Sequence, residues 1–159
     1  RALHIDHGRI SPPVDFDDGR RLVVIKTKLK KIIDDYNPNI SAIEQIFVGP
    51  GIGSSLKLGM ARGVSFLVLA EAGLKVIELP SKLVKKTVTG YGSASKLQIK
   101  EMVTRLIGIE PKNEDGSDAL AIAISAQYIA KKPEALELPK QKSALDLAIA
   151  NALIKEKNV

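Results

Sequence analysis

One charge interrupts an otherwise apolar run. Glu44 stands inside Ile40-Ser-Ala-Ile-Glu-Gln-Ile-Phe47, a stretch of strand length and apolar enough for burial. An ionised carboxylate without a partner is costly in such a setting, so the fold must bring Glu44 a cation. Far downstream, Asp115-Gly-Ser-Asp118 runs directly into Ala-Leu-Ala-Ile-Ala-Ile124 and puts two more carboxylates at the mouth of an apolar helix. Three acids in two apolar settings point to a divalent-metal site. The alternative is plainer: Asp115 or Asp118 caps a helix and Glu44 pairs with a lysine.

Hydrophobic periodicity organises the rest. Arg20 to Tyr36 places Leu22, Ile25, Leu29, Ile32, Ile33 and Tyr36 on one stripe and predicts an amphipathic helix, ended by Asn37-Pro38. The strand Ile40–Phe47 follows, then a loop Gly49–Gly53, with Ser54 or Ser55 capping a long helix to about Ala72. Leu74–Pro80 reads as a second strand, and Ser81 as the cap of a short basic helix to about Val88. Gly90-Tyr-Gly92 reads as a turn, and Ser93 as the cap of a helix Ala94–Ile107. A polar loop from Pro111 to Gly116 leads to a helix from about Ser117 to Lys131. Helices alternating with strands predict an α/β domain with a mainly parallel sheet. Residues 1–131 are expected to form this domain and 132–159 a linker and tail helix, with Leu145, Ala148, Ile149, Ala152 and Leu153 on one side of Ser143–Lys157.

In such a sheet, functional groups gather at the carboxyl ends of the strands, which is where Glu44 sits. Asp115 and Asp118, three apart on a helix, can face the same way and share a metal cluster with it. The chain has no cysteine, so the donors are oxygens, and hard oxygen donors favour magnesium or manganese. Paired ions of this kind activate water and stabilise the leaving oxygen of a phosphodiester.

The formal charge of +6 fits a polyanionic substrate. From Lys82 to Arg105, six basic residues (Lys82, Lys85, Lys86, Lys96, Lys100 and Arg105) face Glu101 alone, a stripe able to track phosphates or simply a solvated helix face. Phe47 at the end of the Glu44 strand could stack on an unpaired base, or belong to the core. Gly49-Pro-Gly-Ile-Gly53 lacks the Gly-Lys-Ser/Thr of a nucleotide P-loop, and His4 and His7 read as surface residues. No run approaches the length of a membrane span and no secretory leader is visible, so a cytoplasmic protein is expected.

These residues resemble the RuvC family of Holliday-junction resolvases. The matching stretches are Ser41-Ala-Ile-Glu-Gln-Ile-Phe47, Ser55-Leu-Lys-Leu-Gly-Met-Ala-Arg-Gly63, Val84-Lys-Lys-Thr-Val-Thr-Gly-Tyr-Gly-Ser-Ala-Ser-Lys96 and Asp115-Gly-Ser-Asp-Ala-Leu-Ala-Ile-Ala-Ile124, in family order over roughly Gly8 to Ile129. The resemblance implies an RNase H-like fold of the ribonuclease H/integrase superfamily, a mixed sheet flanked by helices. It also implies a homodimer that resolves four-way DNA junctions by paired Mg2+-dependent nicks, with Mn2+ able to substitute and two ions per site. Glu44, Asp115 and Asp118 would be metal-binding catalytic acids, with Lys85 and Lys96 near the cleaved phosphate. Phe47, Arg62, Lys82, Lys85, Lys86, Lys96 and Lys100 would contact DNA. Dimers of the family pack through the helix after the Glu strand, here Ser55–Ala72 with Leu56, Met60 and Val64. A branch-migration helicase is the implied partner complex.

The opening departs from the family, whose first strand carries a further catalytic Asp. Leu3-His-Ile-Asp6-His-Gly8 imitates that strand, but Asp6 stands only thirty-eight positions before Glu44, and Arg9–Gly19 is short for two strands. Leu3–Ile10 is therefore expected to be a later strand and the first strand, with the natural start, to lie upstream of Arg1; Asp6 as the first acid is the alternative. Two further readings stay open: a junction-binding module that does not cut, and another RNase H-like nuclease acting on a different structure.

Overall fold

The computed structural model of the chain describes residues 2–45 and 52–132. It divides into two compact units, Arg1–Tyr128 and Ile129–Val159, and the site lies in the first. Phe47, the loop at Gly49–Gly51, the linker and the tail helix at Ser143–Lys157 fall outside the described residues.

Helix α1 (Asp18–Tyr36) starts where Asp17 accepts a hydrogen bond from the Arg20 amide at 2.9 Å, and ends at Asn37, whose φ of 43° is left-handed. Strand β1 (Ser41–Gln45) is followed by α2 (Ile52–Glu71), β2 (Val76–Pro80), α3 (Ser81–Thr89), α4 (Lys96–Ile107) and α5 (Glu114–Lys131). The long helix begins at Ile52, so Ser54 and Ser55 are not its caps. Pro80, not Ser81, occupies the N-cap of α3. Ser95, not Ser93, caps α4, in a reciprocal pair with Gln98 that satisfies two amides at once. Helix α5 starts three residues before Ser117, with Glu114 and Asp115 in its first turn, where the helix dipole favours negative charge.

Among the described residues the sheet has two parallel strands, β1 and β2, in the register Ser41↔Val76 to Gln45↔Pro80. The strand expected at Leu3–Ile10 does not form: residues 2–13 carry no regular structure, and Leu3 and Ile5 are exposed. A strand holds only when a neighbour takes its amides and carbonyls, and this segment is anchored by side chains instead. The Tyr36 hydroxyl donates to Asp6 at 2.5 Å and Arg21 donates to the Pro13 carbonyl at 3.0 Å. Strand β1 is consequently half-buried rather than buried, with one strand beside it.

Alternation along the strands gives the sheet two different faces. Register partners project the same way, so Glu44 and Leu79 share one face, while Ile43 and Glu78 share the other. The Leu79 face meets the core, where Leu79 and Val103 are wholly buried with Leu83, Val84, Ile99 and Ala121 around them. Helix α1 packs on α2 through Leu22, Ile25, Met60 and Ala61, which line a small recess between them. Ile32, at the edge of the α1 stripe, and Tyr36, the last residue of the helix, are exposed.

Candidate active site

Glu44 and Asp118 open onto the same cavity, a recess of about 200 Å³ whose walls include Lys85, Lys96, Ser81, Val84, Ile99, Ala121 and Ile122. Four elements build it. Strand β1 delivers Glu44 on its core-facing side, α3 supplies Lys85 from its middle, α4 supplies Lys96 from its first position, and α5 brings Asp118 in its second turn. Its lining combines charged side chains with the apolar Val84, Ile99, Ala121 and Ile122. Residues eighty-one to one hundred and eighteen thus return to the one acid of the apolar run.

Asp118 titrates above the ordinary aspartate range. Burial is the main cause, Glu114 and Asp115 push the same way, and Lys96 and Lys85 oppose them. Lys96 is pulled upward by Glu114, with its Nζ 2.7 Å from that carboxylate. Glu114 is held below the glutamate range by the same bond. Glu114 was not among the acids singled out by spacing. Its only signal was adjacency to Asp115, and its role depends on where α4 ends up.

Asp115 diverges from Asp118. Three residues along a helix separate side chains by about 60°, enough to turn Asp115 out of the cavity and towards Arg9, whose guanidinium nitrogen lies 3.6 Å from it. The N-terminal segment lies over this first turn of α5. His7 rests on Gly116, where a Cβ would come within 3.0 Å of the ring, and His4 Nε2 meets His7 Nδ1 at 2.8 Å. The two histidines are half-buried, not free surface residues. Asp6 is bonded to Tyr36 and to the His7 amide and does not line the cavity.

The basic stripe is divided. Lys96 pairs with Glu114 and Lys100 with Glu110, both at 2.7 Å, so acids beyond the stripe neutralise its far half. Among the described residues no carboxylate forms an ion pair with Lys82, Lys85 or Lys86. Lys96 and Lys100 also line a neighbouring recess of about 280 Å³ with Leu97, Asn113, Glu114, Ser117 and Asp118. Arg62, expected at the DNA surface, is 15% exposed in its side chain; it donates to the Glu44 carbonyl and pairs with Glu78.

The donor set fits a hard cation in part. Glu44 and Asp118 offer two carboxylates in one recess, and magnesium is commonly held by one or two carboxylates, with water and substrate phosphate completing its shell. The upward shift of Asp118 fits too, since a site that resists ionisation is relieved by a cation. Among the described residues, however, no three histidine or carboxylate side chains form a metal-binding group. Asp115, paired with Arg9, does not line the recess.

Residues 2–126 match the family described as "Crossover junction endodeoxyribonuclease RuvC". A protein of that name from Chloroflexus aggregans is 39% identical over 128 residues, covering 79% of this chain and 78% of the relative. The one from Ruegeria pomeroyi is 45% identical over 129 residues, covering 80% and 78%. Two solved structures share the fold at 25% identity, each match covering 78% of this chain and 76% of the other. They are Thermus thermophilus RuvC, with a TM-score of 0.71, and T. thermophilus RuvC in complex with Holliday junction substrate, with 0.74. The two-stranded sheet with its flanking helices is therefore part of an RNase H-like α/β fold, and the chain belongs to the RuvC family of metal-dependent endodeoxyribonucleases.

Proposed function

We propose that the protein resolves Holliday junctions by hydrolysing phosphodiester bonds in a Mg2+-dependent reaction, in DNA recombination and repair. The observation that carries this reading is the convergence of Glu44, Asp118, Lys85 and Lys96 on one recess. Glu44 and Asp118 would hold the metal, and Asp115 would join them if freed from Arg9. When bound, the metal supplies an activated water and charge stabilisation at the phosphate. Lys85 and Lys96 orient the scissile phosphate at the mouth, and the apolar wall formed by Val84, Ile99 and Ala121 keeps bulk water from the far side. Two ions per site, with Mn2+ as a substitute, complete the proposal.

Lys82, Lys85, Lys86, Lys96 and Lys100 form the phosphate track leading to the site, with Phe47 as the stacking residue. Residues 1–131 make the resolvase domain and 132–159 a linker and tail helix. The protein works in the cytoplasm beside a branch-migration helicase; among the described residues no helix is long and apolar enough to cross a membrane.

A homodimer forms through α2, which pairs the nicks. Leu56, Gly59, Gly63 and Leu67 lie along one exposed line of that helix. A Cβ on either glycine would meet nothing within 4 Å in the chain itself. Glycine inside a helix costs about 1 kcal/mol relative to alanine, and close approach of a second copy gives a reason for it. Met60, first expected at this interface, lines the α1 recess instead.

Nicking of a synthetic four-way junction, with Mg2+ and with Glu44→Gln as control, tests the reading. Paired nicks abolished by that substitution are expected. One observation favours a second reading, a junction-binding protein that does not cut: Asp115 is engaged with Arg9 and the acidic set in the recess is two. Junction binding without cleavage at any Mn2+ concentration would establish it. Competition with a linear duplex and an RNA–DNA hybrid separates both from another RNase H-like nuclease.

A further inference from the structure

Arg62 reaches Glu44 from behind. Its guanidinium donates to the Glu44 backbone carbonyl and to the Glu78 carboxylate, and lies over the Phe66 ring with Cζ 4.9 Å from the centroid. Glu78 projects from the opposite face of the sheet to Glu44 and Leu79. The guanidinium therefore sits across the sheet from the cavity that Glu44 enters. At 15% side-chain exposure, with Glu78 balancing its charge, it is committed to the interior of the α2–sheet seam.

We propose that Arg62 is a positioning residue for Glu44. Holding the carbonyl of the residue whose side chain enters the cavity fixes how far and at what angle that carboxylate projects. The planar fork suits this task because its separate N–H groups engage β1 and β2 at once, while Phe66 limits its rotation. A lysine would bring a single compact ammonium that cannot span both acceptors in one plane. The arrangement also ties the Glu44 strand to α2, so a load on that helix is felt at the site. Arg62 thereby acts on metal affinity and turnover without touching DNA. The proposal rests on Glu44 being a metal-holding carboxylate.

The test uses the full chain and three variants: Arg62→Lys, Glu78→Gln and Glu44→Gln. It measures Mn2+ binding by titration calorimetry, single-turnover nicking of a four-way junction, and junction affinity without divalent metal. Supporting groups behind a ligand typically change metal affinity or activity by about 10- to 100-fold. Arg62→Lys is expected to lose that much Mn2+ affinity and nicking rate while junction affinity stays within about twofold, and Glu78→Gln to lose less of both. Parental Mn2+ affinity in Arg62→Lys overturns the proposal, as does weaker junction binding with Mn2+ affinity intact, the signature of a DNA contact. If Arg62→Lys does not fold, Glu78→Gln decides, and unchanged Mn2+ binding there overturns it. Should Glu44→Gln bind Mn2+ like the parent, the reading of Glu44 itself fails. That outcome is distinct from one in which Glu44→Gln loses the metal and the Arg62 variant keeps it.

Discussion

Truncating Leu79 tests whether the cavity's geometry depends on the core directly beside Glu44. Leu79 has no exposed surface, is the register partner of Glu44, and projects to the same face of the sheet. Leu79→Ala removes three carbons from a site walled by two strands and α3. Such truncations cost about 2 to 5 kcal/mol, the upper end applying where the walls cannot collapse. Taking about 3 kcal/mol, and roughly 3 to 4 °C per kcal/mol for a domain of this size, the melting midpoint should fall by roughly 10 °C. The space left lies alongside the Glu44 side chain, so Glu44 gains freedom to move. A displacement near 1 Å in a catalytic constellation costs on the order of 100-fold in rate, and a loss of about 10- to 100-fold in junction nicking at 25 °C is expected.

Val103→Ala is the control. Val103 is equally buried, on α4 and two turns beyond Lys96. Losing its two methyl groups costs about 2 kcal/mol, and with no contact to Glu44 at stake the nicking rate should stay near the parental value. Calorimetry gives the stabilities and a single-turnover assay the rates. A Leu79→Ala protein that melts roughly 10 °C lower yet nicks at the parental rate would refute the coupling between this core position and Glu44.

Glu114→Gln frees Lys96, so a phosphate need no longer displace a carboxylate to reach it. Junction binding should tighten, and log K against log salt should steepen by about 0.9 for the phosphate gained; an unchanged slope in anisotropy titrations means Lys96 does not meet DNA. Stability should respond to pH with two opposite signs. Glu114 and Glu110 titrate below the ordinary glutamate range because of Lys96 and Lys100, so their contributions are complete above that range and are lost as pH falls through the lowered values. Asp118 titrates above its ordinary range, so the folded state loses stability as pH rises from the ordinary value through the raised one. Asp118→Asn should therefore raise the urea midpoint at neutral pH while reducing nicking, and a lower midpoint would contradict the assignment. Replacing Gly59 and Gly63 with alanine should favour the helix by about 1 kcal/mol each yet weaken dimerisation in sedimentation experiments. A dimer as tight as the parent's would move the interface elsewhere.

The parts of the fold set by local rules were legible from the chain. The α1 stripe ended at Asn37-Pro38 as its backbone demands, Gly73 and Gly90 adopt the left-handed geometry that closes α2 and α3, and both strands fell within their apolar runs. Serine caps were harder to read, because Ser93 and Ser95 obey the same local chemistry and only the Gln98 side chain selects between them. Leu3–Ile10 shows the limit of pattern. Its alternation suits a strand, but strand formation depends on an available edge, which is a property of the whole sheet.

The site divides along the same line. That Glu44 needed a cationic partner followed from its apolar neighbours alone; Lys85 and Lys96 line the same recess, and the ion pair Lys96 makes there is with Glu114. Which of two acids three residues apart joins it could not follow from spacing, since a shift of 60° around α5 turns one carboxylate into the cavity and the other towards Arg9. Arg62 was legible only as a basic residue in a matching stretch; its work depends on β1 and β2 lying in one particular register, with Glu78 facing backwards. The acids are thus encoded one at a time, whereas their geometry is encoded by the sheet that separates Arg62 from the cavity. A change confined to the back of that sheet should alter metal affinity before it alters DNA binding.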